Sequence, residues 1–245
     1  MTEQLEVHYR RFQSSARLPS ALSRRASAPL LVYPHERWKT SKVRLLVIGQ
    51  ETHKWEYEPD VTGGPGSTIR CFKDFSTAAE GVASMLHLYR WYGLGRRHPK
   101  LNSPFWRGFR VLDKALNFET DSALWTNLFK VNVSGSVMGN CNRIEIEKLQ
   151  RAQQGLLRHE IAVLKPNLIV FFTGPRYDRA IRQEFSDVEF CPFDPDPNTS
   201  IPLKRLALVR GSGLPPKTIR TYHPEYLQRS RQLGLLSEIV DWAKR

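Results

Sequence analysis

Three separated polar clusters hold the side chains on which chemistry at a bound ligand would fall: a carboxylate at Glu51, a carboxamide at Asn127 and an imidazole at His223. Glu51 stands with Gln50, Thr52 and His53 directly after the apolar run Leu45-Leu46-Val47-Ile48 and Gly49, so a buried strand delivers polar groups to its C-terminal end. In open α/β sheets ligands bind at that edge. Asn127 interrupts the apolar stretch 123–129 next to Thr126. A buried amide has to be hydrogen-bonded, and its paired donors and acceptor complement the carbonyl and imide edge of a pyrimidine. His223 follows the stretch 218–222 and precedes Pro224, which fixes the backbone ahead of a helix and gives a pre-oriented imidazole. A polar turn after a strand, and a histidine that only caps or packs, are the plain alternatives for the first and third clusters.

The elements that must place these groups are visible in the hydropathy pattern. Residues 45–48 lack any polar interruption, as in a strand buried on both faces, and residues 123–129, 167–173 and 203–209 give further strands. Helical spacing covers residues 77–92 and 143–164, the latter ending before Pro166. Ser103 and Pro104 suit the cap and first turn of a helix running to Asn117, Gly174-Pro175 begins another, and a last helix follows His223 to the C-terminus. Strands alternating with helices predict an α/β fold with right-handed crossovers and a mainly parallel sheet.

With 245 residues, 40% hydrophobic and 11% aromatic, the chain can bury a full core. The organisation expected is a basic, partly helical N-terminal arm over residues 1–41 followed by a single domain over residues 42–245. That arm has Leu5, His8, Tyr9 and Phe12 at helical spacing among several arginines. It fits a segment lying along a phosphate backbone or a strap packed on the domain rim. The excess of 37 Lys+Arg over 24 Asp+Glu gives a net charge of +13, which makes nucleic acid the first partner to consider. No stretch is long and apolar enough to span a membrane, and the polar start lacks a signal peptide's apolar region, so a cytoplasmic protein is expected. Cys71, Cys141 and Cys191 lie far apart, which predicts plain thiols. The loop with Gly63-Gly64-Pro65-Gly66-Ser67 lacks the lysine of a phosphate-binding P-loop, and the acidic, proline-rich stretch 185–200 reads as a solvated loop rather than a metal site.

Taken together, the clusters resemble one family. Gly49-Gln50-Glu51-Thr52-His53 is similar to the water-activating motif of the uracil-DNA glycosylase superfamily, written G-Q-D-P-Y or G-E-x-P-G. Thr126-Asn127-Leu128-Phe129-Lys130 resembles its T-N-V-V-K segment, and Thr221-Tyr222-His223-Pro224 with Leu227 its H-P-S loop. The likeness spans about residues 42–232. It implies a three-layer α/β/α fold with a central, mainly parallel four-stranded sheet, and a monomeric DNA glycosylase that hydrolyses the N-glycosidic bond of a flipped-out base. Glu51 would orient a water and stabilise the sugar cation, and His223 would hydrogen-bond the leaving base. Asn127 would read the base, helped by Gln50 and His53, with Phe72 or Phe75 as stacking platform. Leu227 would fill the gap in the helix, and Arg220, Arg229 and Lys130 would meet phosphates.

The departures matter as well. Thr52-His53 replaces the Pro-Tyr that closes the uracil-specific pocket against a 5-methyl group, so a wider pocket accepting a 5-substituted pyrimidine is expected alongside uracil. Three scattered cysteines cannot hold the iron–sulfur cluster of some branches, so neither cluster nor other cofactor is expected. Two other classes remain open at this point: a non-catalytic DNA-binding module of the same fold, and an α/β enzyme acting on a small anionic nucleotide.

Overall fold

A computed structural model of the chain describes residues 1–52, 69–94, 102–117, 121–193 and 201–245. His53, the glycine run at residues 63–67 and the acidic stretch at residues 194–197 lie outside the described residues.

The fold is α/β, built on a six-stranded mixed sheet. Strands β1 (Leu45–Glu51), β2 (Leu124–Phe129), β3 (Leu168–Phe171), β4 (Glu189–Pro192), β5 (Leu206–Arg210) and β6 (Lys217–Thr221) are arranged in the order β2-β1-β3-β6-β5-β4. β1, β3 and β6 are parallel, with Leu45 opposite Leu168 and Leu168 opposite Lys217, whereas β4–β5 and β5–β6 are antiparallel. The expectation of four mainly parallel strands is thus corrected to six mixed ones. The physical reason lies in β4, which carries the pattern exposed, half-buried, half-buried, exposed and ends on Pro192. Such an edge strand buries no apolar run and tolerates a proline, so its sequence is that of a loop.

The chain divides into two compact units, one made of Met1–Tyr33, Glu51–Arg96 and Thr126–Val163, the other of Pro34–Gln50, Arg97–Trp125 and Leu164–Arg245. In the first unit the N-terminal residues are part of the packing. The helix Thr2–Ser15 buries Leu5, Tyr9 and Phe12, and the apolar residues Leu30, Leu31 and Val32 are fully covered. The strap is fixed by backbone bonds, Ser27 N–H to the Asn132 carbonyl at 2.8 Å and Leu30 N–H to the Lys130 carbonyl at 2.7 Å. The expected continuous helix over residues 143–164 is two helices, Arg143–Gln153 and Leu156–Leu164. Gly155 between them takes φ +82°, a left-handed conformation that ends a helix and costs other residues strain. Asn142 and Glu145 form a capping box at the start of the first helix.

In the second unit the core of β1 is sealed, with Leu45 to Ile48 fully buried. The helix Pro104–Leu116 has Ser103 as its N-cap and Pro104 in its first turn, and its last turn carries Asp113, a buried carboxylate. Asp113 accepts from the Asn117 side chain at 3.1 Å and from the amides of Asp121, Ser122 and Ala123, which fixes the entry into β2. Among the described residues no helix is long and apolar enough to cross a membrane.

Candidate functional site

In the first unit the polar end of β1 is tied to the turn after β2. One Glu51 carboxylate oxygen accepts from the Ser136 hydroxyl at 2.9 Å, and the other accepts from the Val137 amide. Ser136 caps the short helix Val137–Asn140 and accepts from the Gly139 amide at 3.0 Å. Thr52 is buried, and its hydroxyl accepts from the Asn132 side-chain amide at 3.4 Å, while Asn132 Oδ1 accepts from the Gly135 N–H at 3.0 Å. The carboxylate therefore has a fixed orientation. None of Asn132, Ser136 or Val137 was anticipated, although a cap-forming Ser-Gly-Ser at residues 134–136 after a strand was there to be noticed.

Asn127 lies on β2, only 6% exposed, and its side-chain amide makes no hydrogen bond among the described residues. The remaining exposure leaves its donors and acceptor to water or to a ligand, and a carboxamide held on a strand can offer both kinds of bond to one. Its neighbours are firmly held. Lys130 Nζ donates to Thr126 Oγ1 and Glu160 Oε2, and the Tyr9 hydroxyl donates to Glu160 Oε1 at 3.0 Å. Lys130 and Glu160 are 1% and 0% exposed, and burial pushes the Glu160 carboxyl up in pKa despite the adjacent ammonium. Gln153 adds to this frame by donating to the Leu128 carbonyl at 3.0 Å and accepting from the Lys130 amide at 2.8 Å, so its carboxamide stands in for a neighbouring strand.

Two expectations in this unit are corrected. Lys130 is not a phosphate contact, because its charge is consumed inside the core. Phe72 and Phe75 are not an open stacking platform: both are buried, and their rings pack with Phe12 at centroid distances of 6.2 and 5.8 Å.

In the second unit Gln50 donates to the Thr173 carbonyl at 3.0 Å, which pins its amide beside the end of β3. His223 is the N-cap of the helix Pro224–Arg229, and its Nδ1 accepts from the Glu225 amide at 3.2 Å. In a neutral imidazole that acceptor role leaves the proton on Nε2, which can then donate. Burial is the main cause lowering the His223 pKa, with the Arg229 charge adding to it against Glu225. Phe105 lies almost parallel to the imidazole, at 6.1 Å between centroids. Gly108 makes the turn possible, because a Cβ there would meet Pro224 Cγ at 2.6 Å.

Arg220 and Leu227 depart from expectation. Arg220 is buried, donates to both Asp178 oxygens at 3.0 and 3.2 Å and to the Lys204 carbonyl at 2.9 Å, and so offers no charge to a phosphate. Leu227 is 0% exposed and belongs to the core of its helix, so it cannot enter a duplex. The exposed residues of that helix are Glu225, Tyr226, Gln228 and Arg229, with Tyr226 stacked on Tyr222 at 4.2 Å. No protein-family model matches the chain, and no curated protein is significantly similar to it.

His8, His159 and His223 all have lowered pKa values, burial being the first cause in each, and His8 falls to about 4. Groups of this kind bind protons more readily in the unfolded chain, so their contribution to stability is complete above their ordinary value near 6.5 and is lost as pH falls towards the folded values. The carboxyls of Asp113, Glu160 and Asp178, raised by burial, act in the opposite sense. The histidine share is therefore isolated by difference. Urea unfolding should show a smaller loss of stability between about pH 7 and about pH 5 for His8→Gln than for the wild type, and equal losses would contradict this assignment.

Proposed function

We propose that this chain is a DNA glycosylase that hydrolyses the N-glycosidic bond of a flipped-out uracil or 5-substituted pyrimidine and leaves an abasic site. The observation that carries the reading is the Asn127 amide, on a nearly covered residue and with no hydrogen-bond partner among the described residues, on the strand whose sequence resembles the base-reading segment of the uracil-DNA glycosylase superfamily. A three-layer α/β/α arrangement around the sheet belongs to the same reading. So do cytoplasmic location and a monomeric state.

In this reaction the C1′–N bond breaks and its electron pair leaves with the base. His223 donates from Nε2 to the carbonyl oxygen on which that charge collects, and a neutral imidazole with lowered pKa makes such a donor without first giving up a proton. The sugar becomes cationic as the base becomes anionic, and opposite charges need opposite helpers. Glu51, oriented by Ser136 and Val137, stabilises the cation and directs a water to C1′, after which the water's proton is lost to the carboxylate or solvent. The reading requires Glu51 and His223 to act on one nucleotide. Glu51→Gln/His223→Ala should then lose less than the product of the single losses.

The gap-filling side chain in this scheme is Tyr226, 41% exposed, in place of Leu227, and Arg229 remains as an exposed phosphate contact. Phe105 is the aromatic ring beside His223 that replaces Phe72 and Phe75 as the stacking candidate. Thr52, with no proline at its position, supports the wider pocket for a 5-substituted base.

The test is incubation with uracil-containing DNA and with phage DNA bearing modified cytosines, followed by alkaline cleavage at abasic sites and mass spectrometry of released bases. Release of a pyrimidine supports the reading, and release from neither DNA refutes it. The non-catalytic DNA-binding module is the second reading, favoured by the two protein bonds that Glu51 already makes; it predicts binding without release. Both readings predict a salt-dependent affinity. With about 4 to 6 phosphates neutralised, log affinity on duplex DNA should fall against log salt with a slope of roughly −3.5 to −5.5. A flat response would exclude both.

A further inference from the structure

Within the first unit a cavity of about 570 Å³ opens between the helix Thr2–Ser15, the residues that follow it and the helix Arg143–Gln153. Four cations line it, Arg11, Arg17, Lys148 and Arg151, together with His8 and the ring of Phe12, and no acidic side chain is among its lining residues. The contrast with the same helices elsewhere is informative. Arg10 pairs with Glu6 at 2.7 Å, Arg143 with Glu147 at 3.1 Å, and Arg25 with Glu145 at 2.7 Å. Acids are therefore spaced to neutralise the neighbouring arginines, whereas the four cavity cations form no salt bridge among the described residues. Like charges collected on one concavity repel one another, and such an arrangement raises the local concentration of an anion that relieves the repulsion.

His8 reports that field. Its ring stacks on His159 at 3.6 Å between centroids, and after burial the charges of His159 and Arg11 are what hold its pKa down to about 4. A neutral ring and Phe12 give the lining its aromatic part, Ala16, Ala152 and Leu156 add apolar surface, and three guanidinium groups supply forked donors. Planar forks are suited to bidentate contact with phosphate oxygens, and the volume lies within the range of pockets that hold small organic ligands rather than a lone ion. We infer that this cavity is a binding site for a phosphate-bearing nucleotide, either free or as part of a DNA strand, built from residues with no part in the chemistry proposed for Glu51, Asn127 and His223.

The experiment measures binding of inorganic pyrophosphate by calorimetry and of a labelled single-stranded oligonucleotide by fluorescence anisotropy, on the full chain. It compares the wild type with Arg11→Gln/Arg151→Gln, and uses Arg10→Gln, an ion-paired arginine of the same helix, as control. Both replaced cavity residues are exposed, so the urea midpoint should be unchanged, and Lys148→Gln serves as a second variant should the double one fail to fold. If the ligand is a strand, the double variant should lose about tenfold in oligonucleotide affinity and its salt slope should flatten by about 1.4, because two phosphate contacts on a single strand are gone. If the ligand is a free nucleotide, pyrophosphate binding should be lost while oligonucleotide affinity holds. Both ligands binding equally well to wild type and double variant, or an equal loss in the Arg10→Gln control, would overturn the inference. Base release is scored separately, so a protein that excises nothing can still pass this test, and a working glycosylase can fail it.

Discussion

Lys130→Met will lower the free energy of unfolding by about 3–5 kcal/mol, and Glu160→Leu by a similar amount. The two side chains are 1% and 0% exposed and bonded to each other, so removing either leaves an uncompensated charge in the core of the first unit. Desolvation, not repulsion, sets that cost. The pair Lys130→Met/Glu160→Leu removes both charges at once and should recover most of the loss. Recovery will be incomplete, because the Thr126 hydroxyl loses both Glu160 and Lys130 and a buried hydroxyl without a partner costs about 1–3 kcal/mol, whereas Tyr9 keeps its bonds to Val32. Urea unfolding of the three variants gives the cycle directly. Single variants within about 1 kcal/mol of the wild type would show that water or relaxation compensates the charge, contrary to the burial described. Because Thr126 neighbours Asn127 on β2 and Lys130 directly follows that strand, variants that remain folded should also lose function through displacement of β2.

The second large effect falls on the chemical step. Glu51→Gln should slow single-turnover base release by roughly 10² or more while DNA binding is kept or tightened. The substitution suits the site. Glutamine Oε1 can accept from the Val137 amide and Nε2 can donate to the Ser136 hydroxyl oxygen, so the side chain stays oriented and only the negative charge is lost. A carboxylate near phosphates repels them, which is why binding should not suffer. His223→Ala should cost about 10² in the same step, since it removes the donor to the leaving base. Tyr226→Ala, by contrast, should slow release from duplex more than from single strands, in which no gap needs filling.

Much of what positions the site was legible because it is local. The run from Leu45 to Ile48 could be placed as a buried strand since nothing polar interrupts it, and Ser103-Pro104 marks a helix start by backbone chemistry alone. His223-Pro224 likewise marked a strand end and a helix cap within four residues. The failures concern partners distant in sequence. Lys130 and Arg220 looked like surface cations, and only Glu160 and Asp178, 30 and 42 positions away, account for their burial. Leu227 presented the same difficulty, because an apolar residue after a histidine loop suits a protruding wedge and a core equally well. The apolar residues Leu30, Leu31 and Val32 lie in a segment otherwise basic and proline-punctuated, so the packing of the N-terminal strap against Asn132 and Lys130 was hidden by its surroundings.

The most direct measurement is single-turnover release of free base from uracil-containing and modified-cytosine DNA by wild type and Glu51→Gln, with folding and DNA affinity measured on the same preparations. The predicted result is base release and alkali-labile sites with the wild type, and a rate about 10² lower with a folded, DNA-binding Glu51→Gln. A Glu51→Gln protein that binds DNA and releases base at the wild-type rate would contradict the account.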